Sequence, residues 1–109
     1  MAEALKILGQ AAPAAITSSD LYTVPAATQT TVSTLAVANR ASTATTFRIS
    51  IAKAGEALGN KQYIYYDQFI DGNSSFLVTI GITLQATDVI RVYAGSANLS
   101  FNVFGIEVS

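Results

Sequence analysis

Asp67 and Asp71 are the closest acidic pair on a strand and its turn, and paired carboxylates are the machinery of glycoside hydrolysis. No third polar group accompanies them, so the ordinary reading is a solvated strand end followed by a turn-capping aspartate. Gly55 to Lys61, GEALGNK, is similar to a phosphate-binding loop, but its glycine spacing is one residue short and no Ser or Thr follows the lysine. A wide loop between two strands is the better reading. The segment DGNSS, Asp71 to Ser75, offers one carboxylate where a hard-cation loop gathers several oxygen ligands. Serine and threonine are plentiful, yet a hydroxyl nucleophile needs an adjacent base. The chain has no His and no Cys, which removes the imidazole base, the thiolate, the disulfide and the commonest zinc ligands together. No catalytic residue, metal ligand or cofactor is expected, and the protein reads as a non-enzyme without a small-molecule substrate. Asn73 and Asn98 each begin a glycosylation acceptor triplet, a pattern common by chance and discounted here.

What the residues offer instead is adhesion. Gln62 to Phe69, QYIYYDQF, makes both faces of one strand apolar or amphipathic, so each face needs a cover. Tyrosines bury ring area while the hydroxyl finds a partner, which suits protein interfaces. Tyr63, Tyr65, Tyr66 and Phe69 are therefore the candidates for a subunit interface. Ordinary cross-strand packing competes with this reading, and a sugar platform built on the tyrosines is a further alternative. Arg40, Arg48 and Arg91 are expected to be solvated or paired with Asp67, Asp88 or Glu107. Six Lys plus Arg against seven Asp plus Glu leave a net charge of −1, so no field draws the chain to nucleic acid or anionic lipid. Charged residues are 12% of the chain, well below the usual quarter, and hydrophobic ones 50%, which excludes a charge-rich disordered chain. No apolar run approaches the roughly 18 residues of a bilayer span. MAEALKIL carries Glu3 before Lys6 and lacks the basic start of a secretory signal, so it reads as retained. A soluble protein made in the cytoplasm is expected.

The elements that must position these residues follow from periodicity. Residues 1–19 are Ala-rich, carry Pro13 and end on Thr17, Ser18 and Ser19, and they read as an N-terminal arm whose order depends on docking to a partner. Residues 20–109 read as one β-sandwich domain. Phe47, Ile49 and Ile51 alternate with Arg48, Ser50 and Ala52, and Phe76, Val78, Ile80, Ile82 and Leu84 hold one phase, the strongest strand signal in the chain. Leu99, Phe101 and Val103 switch parity to Ile106 and Val108, a slip assigned to a β-bulge at Gly105. Weaker strands cover Leu21 to Val24, Thr30 to Asn39, Gln62 to Ile70 and Asp88 to Ala94, giving seven in all. Asp71, Gly72 and Asn73 tolerate positive φ and predict a hairpin between their flanking strands. Seven short strands without covering helices predict two antiparallel sheets packed face to face, an all-β sandwich or jelly roll with an extended N-terminal arm.

The stretch LYTVPAATQTTVSTLAVANR, continuing into STATTFRISIAKAG, and the C-terminal ITLQATDVIRVYAGSANLSFNVFGIEVS resemble a pattern of small bacteriophage virion structural proteins. Together they cover most of the β domain. The resemblance implies an antiparallel sandwich, usually trimeric, that adheres to a protein shell and performs no catalysis. Within that class a head decoration, or cement, protein is expected, bound to the major capsid protein or another virion protein and located on the capsid surface. A neck, tail or fibre module is the first alternative and a carbohydrate-binding, lectin-like sandwich the second. The resemblance rests on strand patterns without chemically special residues, so no family site carries over. Physical reasoning nominates Leu5, Ile7, Leu8, Pro13 and Ile16 as the capsid-contact residues of the arm, which would bridge to a neighbouring subunit.

Overall fold

A computed structural model of the chain describes residues 2–109; Met1, the first residue of the expected arm, lies outside them. Eight strands are present among the described residues: β1 (Glu3–Ala11), β2 (Thr17–Thr23), β3 (Gln29–Asn39), β4 (Thr45–Ala52), β5 (Tyr63–Ile70), β6 (Ser75–Leu84), β7 (Val89–Ala94) and β8 (Leu99–Val108). They form two antiparallel four-stranded sheets, ordered β1-β8-β3-β6 and β2-β7-β4-β5. The chain changes sheet at every connection except β4 to β5, which is the double-sheet wiring of a jelly roll. The all-β sandwich read from the sequence is the observed fold.

The core lies between the sheets and is built from the alternating rows. Phe47 and Ile49 of β4, Leu35 and Val37 of β3, Ile90 and Val92 of β7, and Leu99, Phe101 and Val103 of β8 are buried. Phe76, Val78, Ile80, Ile82 and Leu84 all face this core in the phase read from the sequence. Phe47 sits at its centre, with ring centroids 5.4 Å from Phe76, 6.1 Å from Phe101 and 6.3 Å from Tyr65, in tilted or edge-on arrangements favoured by aromatic quadrupoles.

Three local readings are corrected. Residues 3–11 of the arm are an edge strand of this same sandwich, hydrogen-bonded along β8, with Ala2 and Ser109 exchanging two backbone bonds of 2.6 and 2.8 Å at the end of the ladder. The segment is extended as expected, but its partner is the C-terminal strand of its own chain, because β8 otherwise has a free edge of unpaired backbone groups. The turn at Asp71 to Asn73 joins no hairpin: β5 and β6 lie in different sheets, and the turn carries the chain across the sandwich. It is held from outside by Asn39, whose Nδ2 donates to the carbonyls of Thr43 (2.9 Å) and Asp71 (3.1 Å), and by the Asn73 amide donating to Ala41. The positive φ of Asn73 was legible; the direction in which the chain left the turn depended on these distant partners.

The bulge assigned to Gly105 lies on the neighbouring strands. β8 pairs residue by residue, whereas its neighbours each carry an extra residue, Leu8 of β1 beside the Val103–Phe104 step and Ser33 of β3 beside the Phe104–Gly105 step. A Cβ on Gly105 would lie 2.2 Å from the Thr31 carbonyl oxygen, so glycine is required there for close approach of β3. The parity of β8 is unbroken, and Phe104, Ile106 and Val108 form its outward row.

Candidate interaction surfaces

The outward face of the first sheet follows from the cross-strand register. Leu5 lies opposite Ile106 and Ile7 opposite Phe104, placing four large apolar side chains of β1 and β8 side by side. On the other flank Ala36 of β3 faces Asn102 and Leu77. Thr31, Thr34, Thr79, Thr83, Gln10 and Asn102 fill the remainder, Gln10 donating to Asn102 Oδ1 at 2.7 Å. Leu5 is 82% exposed, Leu77 66% and Ile7 55%. Apart from Glu3 at one corner, no acidic or basic residue occupies an outward position of this sheet. The nominated arm residues divide accordingly: Leu5, Ile7 and Ile16 are exposed, Leu8 packs against the core, and Pro13 is buried.

The outward face of the second sheet is different in character. Residues 53–62 fold back over half of it, held by Arg91, which donates to the carbonyl of Glu56 at 2.7 Å and pairs with Asp20 at 3.1 Å. The loop read as a poor phosphate cradle is therefore a cover for Ser50, Ala52 and Val89. The other half carries Arg48, which donates to Asp67 at 2.7 Å and lies over the rings of Tyr66 and Tyr93, 4.2 and 4.5 Å from their centroids. The Asp67 carboxylate beside it raises the Arg48 pKa above its ordinary value. Tyr63 meets Tyr66 edge-on at 4.9 Å.

Of the four nominated interface aromatics, Tyr63, Tyr66 and Phe69 belong to this outer face, while Tyr65 turns inward onto Phe47 and Phe76. Two irregularities explain how neighbouring tyrosines serve both faces. Tyr66 and Asp67 together oppose Arg48, with Asp67 at φ 51°, and Ile64 is an extra residue between Tyr63 and Tyr65. The consecutive tyrosines announced two wet-or-covered faces; the bulges that sort them leave no mark in the sequence. A sugar platform loses Tyr65 for the same reason.

A third constellation, unmarked in the sequence, joins the sheets at one end. The Tyr22 hydroxyl of β2 reaches across to Glu107 Oε2 of β8 at 2.5 Å and shares a 2.8 Å hydrogen bond with buried Thr30 of β3, while Lys6 of β1 pairs with Glu107 Oε1 at 2.7 Å. The Lys6 and Tyr22 bonds hold the Glu107 carboxyl below its usual range, and burial, reinforced by Glu107, pushes the Tyr22 phenol up to about 12. The neutral phenol is thus a donor locked onto a carboxylate: a clasp, with every polar group matched. A shallow hollow of about 650 Å³ nearby, lined by Ala27, Thr28, Gln29, Gln85, Ala86, Val108 and Ser109, contains no acidic or basic side chain. Among the described residues no three of Asp, Glu, His or Cys come together as a metal site, and no helix is long and apolar enough to cross a membrane.

No family model matches the chain, and no curated protein matches it. Among solved structures it is similar to a pentameric capsid protein isolated from metagenomic phage sequences, with 16% identity and a TM-score of 0.42 over 93% of this chain. The chain spans 59% of the length of that protein.

Proposed function

We propose that the protein is a non-enzymatic structural component of a bacteriophage virion, and within that class a head decoration protein that sits as a trimer over junctions between major capsid subunits. The observation that carries this reading is the uncharged outward face of the first sheet, with Leu5, Ile7 and Leu77 open to solvent. Depletion of charge at the centre of a patch, with exposed large apolar groups, is the mark of a protein-binding surface. Four strands about 4.8 Å apart and about ten residues long give a face of roughly 600 Å². That is close to the roughly 800 Å² each partner contributes to a standard interface. Jelly rolls serve both viral shells and lectins, so the fold alone does not choose between them. The resemblance of the β segments to virion proteins and the inward turn of Tyr65 favour the shell.

A module that binds intact junctions, and not separated subunits, stabilises the assembled shell by mass action, so many modest contacts sum over the particle. Deleting residues 1–19 is a poor test of attachment, because it removes a strand of the sandwich. The test is the double substitution Leu5→Glu with Ile7→Glu, outward positions that leave the core intact. Purified particles should lose this chain and open at lower temperature. Full occupancy of the variant would overturn the assignment of this face, and imaging that places the chain on the tail would replace decoration by a tail or neck role.

A further inference from the structure

We propose that β1 is an exchangeable strand, which leaves its own sandwich and pairs with β8 of a second copy of this chain, with the hinge at residues 14–16. The inference goes beyond the virion reading and stands on the fold alone.

The first observation is how little burial holds β1. No residue of the strand is buried; only Leu8 and Ala11 pack against the core, while Leu5 and Ile7 face solvent. Its attachment is the backbone ladder to β8, the Lys6–Glu107 pair, the Gln10–Asn102 hydrogen bond and the close approach of Gly9 to Leu21 of β2. Each of these can be reproduced by an identical chain, which is why exchange of an equivalent element is a low-cost route to association. The second observation is strain in the connection. Ile16 sits at φ 56°, a left-handed conformation that β-branched residues rarely adopt, in the exposed turn that reverses the chain between β1 and β2. The turn is short, with five residues separating the two strands, Pro13 among them. Opening it to an extended crossing relieves Ile16, and short strained hinges favour exchange for that reason. The third observation identifies the occupant. β8 without β1 presents a backbone edge whose outward row, Phe104 and Ile106, matches Ile7 and Leu5, and whose inward Glu107 awaits Lys6. That combination of register and charge is complementary to β1, so the partner is another copy.

The chain has no cysteine, so thiols can be placed without competition. Leu5 and Ile106 are direct cross-strand partners, and such pairs lie within the Cα separation a disulfide requires. Chains carrying Leu5→Cys and chains carrying Ile106→Cys, one with a mass tag, are mixed at high concentration, incubated warm, oxidised and separated under denaturing conditions. Exchange predicts a mixed disulfide dimer well above the twofold excess that random collision gives over either homodimer. The double variant, L5C with I106C, closes internally under the same conditions and shows that the pair is competent. A collision-level yield of mixed dimer, with the double variant closed, would overturn the proposal; so would a double variant that fails to close, since the β1–β8 register would then be wrong. Adding Ile16→Gly to both chains removes the strain and should lower the mixed dimer about tenfold. An unchanged yield would overturn the hinge.

Discussion

Replacing Tyr22 by Phe removes one oxygen from the clasp and leaves the ring in place. The phenol donates to the Glu107 carboxylate at 2.5 Å and bonds Thr30 at 2.8 Å. A hydrogen bond to a charged acceptor contributes about 1.5 to 3 kcal/mol, and a buried hydroxyl left without a partner costs about 1 to 3 kcal/mol. Thr30 is 1% exposed, so water does not readily replace the missing partner. Glu107 keeps Lys6 at 2.7 Å and is not left as an unpaired charge. The net loss should therefore fall at about 2 to 3 kcal/mol, rather than at the level of a stranded ion. For a domain of this size that is a fall in Tm of about 10 °C or more. Urea unfolding at pH 7 should show a lower midpoint with an unchanged slope. The Glu107 carboxyl titrates below its ordinary value in the fold, so its contribution is present above the unfolded-state pKa and is lost as pH falls through the folded one. The difference between wild type and Tyr22→Phe should shrink in acid, and a cycle with Glu107→Gln should show coupling of about 1 kcal/mol or more. A loss below about 0.5 kcal/mol at pH 7, or an undiminished loss in acid, would refute the clasp as a fastening of the two sheets.

Alkaline unfolding provides the mirror test: the Tyr22 phenol is raised in the fold to about 12 from 10.0, so stability is intact below pH 10 and declines as pH rises from about 10 to about 12, a decline that Tyr22→Phe should reduce. Phe47→Ala, which empties the centre of the aromatic cluster, should cost about 3 to 5 kcal/mol by urea unfolding. Gly105→Ala should be severely destabilising because its Cβ would meet the Thr31 carbonyl at 2.2 Å, whereas Gly81→Ala, with φ 62° and open space around it, should cost only about 1 to 2 kcal/mol. Equal costs at the two glycines would show that close approach is not the constraint at Gly105. Arg48→Ala should lower stability by less than Phe47→Ala, since its partners Asp67, Tyr66 and Tyr93 lie on the outer face.

The alternation of apolar and polar residues from Thr30 to Leu84 was sufficient to establish an all-β sandwich, because a period of two places one row inward whatever strand lies beside it. The absence of His and Cys was equally plain, since composition does not depend on folding. Pairing did depend on it. The first strand was illegible because its largest exposed apolar residues, Leu5 and Ile7, face outward, Leu8 and Ala11 only touch the core, and its order comes from backbone bonds to a strand at the other end of the chain. The turn at Asp71 to Asn73 has the residues of a hairpin, and only the loop around Asn39 and Ala41 directs it to the opposite sheet. Tyr63, Tyr65 and Tyr66 were visible as a group, but bulges opposite β4 decide which face each serves. The clasp of Lys6, Tyr22, Thr30 and Glu107 draws one residue from each of four strands, and nothing local distinguishes any of them. Local sequence determines what a strand is, because side-chain direction is a property of the backbone; neighbours determine where it goes, because hydrogen-bond partners and close contacts exist only once both sheets have formed.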